Sequence, residues 1–152
     1  MSPAHYLQHM RISNVIRRKG DLVLTVRSSD TVEHLIAVLD EHRIGAVVVS
    51  DDDGATVAGI VSERDVVCRL HRDGADVLNQ RVSQIMSTDV VTCTPDDGIE
   101  DLARTMTERR VRHIPVVVDG RLRAIVSIGD IVKHRIDELQ AERDQLVGYI
   151  QQ

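Results

Sequence analysis

The tetrads Ser62-Glu63-Arg64-Asp65 and Ser127-Ile128-Gly129-Asp130 combine residue types and spacing that could do chemistry. Each is an S-x-x-D that follows an apolar run. Alone, such a tetrad is a capping box: the serine caps a helix and the acid three residues on returns the hydrogen bond. Its recurrence at equivalent points of the chain supports a second reading. A helix N-terminus beside a hollow offers free N–H groups to a phosphate or a sugar. A carboxylate there can accept from sugar hydroxyls, as an acid does in dinucleotide folds. Arg64 reads either as a solvated surface arginine or as a bidentate grip on phosphate. The second tetrad has Ile128 and Gly129 where the first has Glu63 and Arg64, so only one half-site draws a cation from its motif.

A second pair of segments lies upstream of these tetrads. Arg110-Val111-Arg112-His113-Ile114-Pro115 precedes a strand-like run, and Glu41-His42-Arg43-Ile44-Gly45 is its counterpart. Both read as polar helix ends, where the dipole favours cations. Both also read as a basic rim for an anionic ligand. Gly45 and Pro115 leave no side chain or donor to obstruct a flat ring lying against the backbone.

The elements that must position these residues are duplicated, which is the chain's strongest organisational signal. Gly45-Ala46-Val47-Val48-Val49 aligns with Pro115-Val116-Val117-Val118, and Gly59-Ile60-Val61-Ser62 with Ala124-Ile125-Val126-Ser127. Val23-Leu24-Thr25-Val26 matches Val90-Val91-Thr92-Cys93. Each half therefore reads strand, helix, strand, strand, helix. Leu22 to Val26 predicts a strand. Asp30 predicts a cap for a helix with Val32, Leu35, Ile36 and Leu39 on one face. Ala46 to Ser50 predicts a strand buried on both sides, Asp51 to Gly54 a turn, and Val57 to Val61 the return strand. In the second half, Val90 to Cys93 predicts a strand and Ile99, Leu102, Ala103 and Met106 a helix. Ile114 to Val118 and Leu122 to Val126 predict a hairpin about the Asp119-Gly120 turn.

The fold class is α/β (α+β): two β-α-β-β-α repeats packed as a pseudo-two-fold pair with a long C-terminal helix. The repeats span residues 12–72 and 82–136, joined by a polar linker at 73–81 and followed by a helical extension over 137–152. Val132, Ile136, Leu139, Leu146 and Ile150 keep alternating spacings of four and three along that final helix, with Arg143 filling the gap. This is either a stripe lying on its own domain or a surface for self-association.

Composition narrows the function classes. The chain has 152 residues, 42% hydrophobic and 28% charged, with a net charge of -5. That suits a folded domain and disfavours nucleic acid as a partner. Phe and Trp are absent and Tyr6 and Tyr149 are the only tyrosines, so a bound purine must lie between aliphatic side chains and backbone. Cys68 and Cys93 form no CxxC and read as buried small hydrophobes in a reduced, cytoplasmic setting. No apolar run approaches a membrane span and no secretory signal is evident. His5 and His9 have helical spacing but sit in what reads as a floppy N-terminal segment. No Walker loop, G-x-S-x-G or H-E-x-x-H occurs, so neither an enzyme nor a metal site is expected.

The stretch from Ile44 to Val67, and that from Arg110 to Val132, resemble the cystathionine-β-synthase-type (CBS) domain, here in tandem over residues 12–136. The whole pattern is similar to stand-alone two-repeat proteins of bacteria and plant mitochondria. The resemblance implies a non-catalytic regulatory module binding AMP, ADP, ATP, NAD(H) or S-adenosylmethionine in the cleft between the repeats. It assigns Asp65 and Asp130 to ribose hydroxyls, and Ser62 and Ser127 to ribose or phosphate. Arg64, Arg112 and His113 would face phosphate, while Thr88, Val111 and the backbone near Ile114 and Pro115 would frame an adenine. One site would combine Ser62, Arg64 and Asp65 with Arg112 to Pro115; the other would combine Ser127 and Asp130 with Arg43, Ile44, Gly45 and Ala46. A homodimer and an unidentified protein partner are also implied. The alternative is a ligand-free scaffold acting through its dimer surface and C-terminal helix.

Overall fold

A computed structural model of the chain describes residues 10–20 and 23–151. The His5–His9 pair, Tyr6 and Leu22 lie outside the described residues. In chain order the elements are α1 (Ile12–Lys19), β1 (Thr25–Val26), α2 (Val32–His42), β2 (Ala46–Val49), β3 (Gly59–Ser62) and α3 (Glu63–Asp73). A 3-10 turn (Gly74–Asn79), α4 (Val82–Ile85), α5 (Ile99–Arg109), β4 (His113–Val118), β5 (Arg121–Ser127) and α6 (Ile128–Ile150) follow. The described residues divide into two compact units, one of residues 23–92 with Pro115–Ile125, the other of residues 10–20 with Cys93–Ile114 and residues 126–151.

The unit holding β1 to α4 is built on a three-stranded sheet in the order β1-β2-β3. β1 runs parallel to β2, with Thr25 opposite Val48. β2 runs antiparallel to β3, with Ala46 opposite Ser62 and Val49 opposite Gly59. All four β2 residues are buried, as an uninterrupted apolar run requires. Val32, Leu35 and Leu39 of α2 recur at helical spacing and enter the same core as Val47, Val49, Val61 and Val66. The return strand is shorter than the sequence predicts, Gly59–Ser62 in place of 57–61.

Two local expectations change here. Thr31 caps α2, its hydroxyl accepting the N–H of His34 at 3.1 Å. Asp30 instead turns back to accept the N–H of Arg27, three residues earlier, at 2.8 Å, and leaves the cap to Thr31. Residues 74–79 form a helical turn whose Val77 is fully buried in the core. The segment is held at its end by Val32 N–H to Gln80 O (2.9 Å) and Val82 N–H to Asp30 O (2.8 Å). The polar residues read as a linker are thus the outer face of a packed turn.

β4 and β5 pair as a hairpin. Asp119 (φ 52°) and Gly120 (φ 77°) both take the left-handed conformation that a two-residue primed turn demands. Val90 to Thr92 are irregular, and Cys93 makes only an isolated bridge where the sequence predicts a strand.

In the other unit, α1 buries Ile12 and Val15, and α5 buries Ile99, Leu102 and Met106. The start of α1 is fixed by Ile12 N–H to Asp97 O and Ser13 N–H to Pro95 O, both 2.9 Å. α6 runs 23 residues, as the sequence predicts, and buries only Ile131 and His134.

Candidate functional site

Both S-x-x-D tetrads fold into the same local structure. Ser62 ends β3 and caps α3: the N–H of Asp65 reaches Ser62 Oγ at 3.3 Å, and Asp65 Oδ2 accepts the Ser62 N–H at 2.8 Å and its hydroxyl at 3.0 Å. Ser127 ends β5 and caps α6: the N–H of Asp130 reaches Ser127 Oγ at 3.1 Å, and Asp130 Oδ2 accepts the Ser127 N–H at 2.9 Å. The capping reading is realised in both copies. It commits one oxygen of each acid. Oδ1 of each makes no hydrogen bond among the described residues. A half-buried acid with an unused oxygen at a helix start can still accept from a ligand hydroxyl.

The strand entries are equivalent too, in a register the sequence alignment misses. Arg43 (φ 52°, ψ 47°) ends α2 and Arg110 (φ 56°, ψ 40°) ends α5, each in the left-handed conformation. Two residues on, Gly45 O accepts the N–H of Glu63 and Arg112 O accepts the N–H of Ile128, both at 2.9 Å. Gly45 therefore corresponds to Arg112, not to Pro115. Pro115 lies buried as the third residue of β4, past the strand entry that Arg112 shares with Gly45. The Ile114 side chain is fully buried.

Each unit gathers its own tetrad and its own strand entry. In one, the β2–β3 pairing sets Ala46 opposite Ser62. A hollow of about 600 Å³ there is lined by Arg43, Ile44, Gly45 and Glu63 over an apolar floor of Ile36, Leu39, Val66 and Val67, with Asp40 at its edge. Its volume is that of a small-molecule pocket. Ser62, Asp65 and Thr88 are not among its lining residues. Thr88 is exposed, one residue past the Ile60–Ser87 bridge, whose Ile60 lies two residues before Ser62 on β3. Arg64 is exposed on α3 and makes no ion pair among the described residues.

In the other unit, Val111, Arg112, His113 and Ile114 lead into β4, with Arg112 exposed and Val111 and His113 half-buried. The sequence reading left the second tetrad without a cation. The structure supplies one from α1: Lys19 Nζ lies 2.6 Å from Asp130 Oδ2. Burial raises the Asp130 carboxyl's pKa. The Lys19 hydrogen bond, the Ser127 hydrogen bonds and the Lys19 charge outweigh this and hold it below its ordinary value. Lys19 is 111 residues away in sequence, so no local motif could have pointed to it.

Cys68 is exposed, against the expectation of burial, while Cys93 is buried. Among the described residues no group of three or more His, Cys, Asp or Glu could hold a metal. No helix among them is long and apolar enough to cross a membrane.

Comparison with known proteins agrees with the geometry. The sequence matches the CBS domain over residues 14–72 and again over 82–137. It is 33% identical over 147 residues to the CBS domain-containing protein CBSX3, mitochondrial, of Arabidopsis thaliana, covering 92% of this chain and 71% of that one. The crystal structure of the CBS-domain containing protein ATU1752 from Agrobacterium tumefaciens superposes with a TM-score of 0.79 at 42% identity, covering 83% of this chain and 99% of that one. The CBS domain pair of protein MJ0100, solved with 5-methylthioadenosine and S-adenosyl-L-methionine, shares the fold at 22% identity, with a TM-score of 0.72 over 82% of this chain and 98% of that one. With two matched copies covering most of its length, the chain belongs to the CBS-domain family as a tandem pair.

Proposed function

We propose that this CBS pair is a non-catalytic sensor of an adenosine-containing ligand, AMP, ATP or NAD(H), held by its sugar at Asp65 and Asp130. The observation that carries the reading is the doubled capping box, in which each acid keeps one oxygen unused beside a helix start. Two sugar hydroxyls are donors and an ionised carboxylate is their strongest neutral-pH acceptor. Arg43, Arg64 and Arg112 are exposed cations suited to the ligand's phosphates. The purine, with no Phe or Trp available, packs on aliphatic side chains. The methylthioadenosine and S-adenosylmethionine bound by the MJ0100 pair support an adenosyl ligand as the class.

A thermal-shift screen with AMP, ATP, NADH and S-adenosylmethionine tests this, since a ligand that binds only the native state raises Tm. A dose-dependent rise with at least one of them is expected. No shift with any would leave the scaffold reading.

The same reading takes a second copy of the chain as partner. Val67 of α3 and Val132 of α6 occupy equivalent positions in the two motif helices, and they are 63% and 51% exposed. Ile136 and Leu139 continue the α6 stripe, each about half exposed. Apolar positions repeated in both copies and left open are what a self-complementary interface uses. Light scattering on Val67→Glu with Val132→Glu is expected to show a dimer reduced to monomer.

A further inference from the structure

The two capping boxes differ in one contact. Asp65 Oδ2 accepts only from Ser62. Asp130 Oδ2 accepts from Ser127 at 2.9 Å and from the Lys19 ammonium at 2.6 Å. Lys19 is the last residue of α1, and its neighbour Arg18 pairs with Asp137 at 2.7 Å. These adjacent side chains clamp α6 at two points seven residues, or about two turns, apart. The cations also suit the C-terminal end of α1. Below them, a groove lined by Val15, Lys133 and buried His134 encloses about 130 Å³. That is room for a few waters and less than a nucleoside site needs.

We propose that Lys19 is a built-in competitor for Asp130: it takes up the charge of the second acid, so ligand fills the first motif first, and binding at the second is coupled to loosening of the last turn of α1. The inference rests on the reading that the tetrad acids hold a ribose. The physical reason is competition for one carboxylate. Oδ2 of either acid already takes two donors, but only at Asp130 is one of them an ammonium; its charge makes the open Oδ1 of that acid a weaker acceptor, so a sugar and Lys19 compete for the same negative charge. Lys19 and Asp130 are partly exposed, 37% and 25% by side chain, so the pair is worth little in water. The competition therefore ranks the two sites by a few-fold and does not abolish the second. By linkage, ligand at Asp130 weakens the hold of α6 on α1 as much as that hold weakens the ligand.

The test isolates the second motif. Calorimetric titration with AMP and with S-adenosylmethionine is run on the full chain carrying Asp65→Ala, with and without Lys19→Met, and with Lys19→Arg as the conservative control. Thermal melts confirm that each variant is folded. Asp65→Ala with Lys19→Met is expected to bind about two- to five-fold more tightly than Asp65→Ala alone, the range a partly exposed ion pair allows. Lys19→Arg should stay near the parent. Saturating ligand should also speed exchange of the Gly20 amide, which closes α1 on Ile16 O at 3.1 Å. Unchanged binding in the Lys19→Met variant overturns the proposal. Weaker binding overturns it as well, by making Lys19 a ligand contact. If neither probe binds the wild-type chain or any variant, the nucleotide reading itself fails and this one with it.

Discussion

A Cβ placed on Gly59 would fall 2.8 Å from the carbonyl oxygen of Ser87 and 2.9 Å from Met86 Sδ. The approach is close because β3 makes a two-bond bridge there: Ile60 N–H to Ser87 O at 3.0 Å and Ser87 N–H to Ile60 O at 2.9 Å. The methionine tail can swing aside but the Ser87 backbone cannot, so glycine is required at the head of the strand that delivers Ser62. Gly59→Ala is expected to destabilise the fold by about 1–3 kcal/mol, the cost of forced overpacking. Urea unfolding checks this, and a loss below about 0.5 kcal/mol would contradict the geometry.

Thiol reactivity should split between the two cysteines. Burial pushes the Cys93 thiol up to about 12, with the Asp97 charge adding to the shift, while Cys68 is exposed. Only the thiolate reacts. Native chain treated with a thiol-selective reagent at neutral pH should take up one label, at Cys68, and a second only on unfolding. Labelling of Cys93 in the native state at a rate matching Cys68 would contradict the buried placement.

The turn after β2 makes an acid-sensitive element. Asp52 accepts from the Thr56 hydroxyl at 2.6 Å, the Thr56 N–H at 2.8 Å and the Ser50 hydroxyl at 2.8 Å. These bonds lower its carboxyl to about 2 from 3.8. Asp51, bonded by the backbone and hydroxyl of Ser28, shifts the same way. A carboxyl depressed in the folded state stabilises it above the unfolded value, and that contribution fades as pH falls through the folded one. The stabilisation should therefore be full above about pH 4 and shrink toward pH 2. Asp52→Asn should flatten the fall in Tm across that window. A variant whose Tm tracks the wild type through it would contradict the assignment.

Chemistry confined to neighbouring residues was legible in the sequence. The Asp119-Gly120 turn, the apolar β2 run, and the Ser62 and Ser127 caps each depend on residues within a few positions. What escaped depends on the fold. Asp30 and Thr31 are both good caps, and only the Arg27 N–H decided which turned away. Val77 adjoins Leu78 in a six-residue turn too short to show a period, so nothing in the sequence says which of the two is buried. The equivalence of Gly45 with Arg112 follows from the left-handed caps at Arg43 and Arg110 and the two-residue step after each, which string matching on valines cannot see. α1 owes its place to backbone bonds with Asp97 and Pro95, and its Lys19 reaches Asp130 for the same reason.

The central claim is that the tetrad acids hold a sugar. It is tested most directly by titrating AMP and S-adenosylmethionine into the wild-type chain, Asp65→Ala, Asp130→Ala and the double variant, with melting curves to confirm folding. A hydrogen bond to a charged group contributes about 1.5–3 kcal/mol. Asp65→Ala should therefore weaken its ligand roughly ten- to hundred-fold, and the double variant should lose measurable binding. A folded double variant that binds either ligand with wild-type affinity would contradict the account.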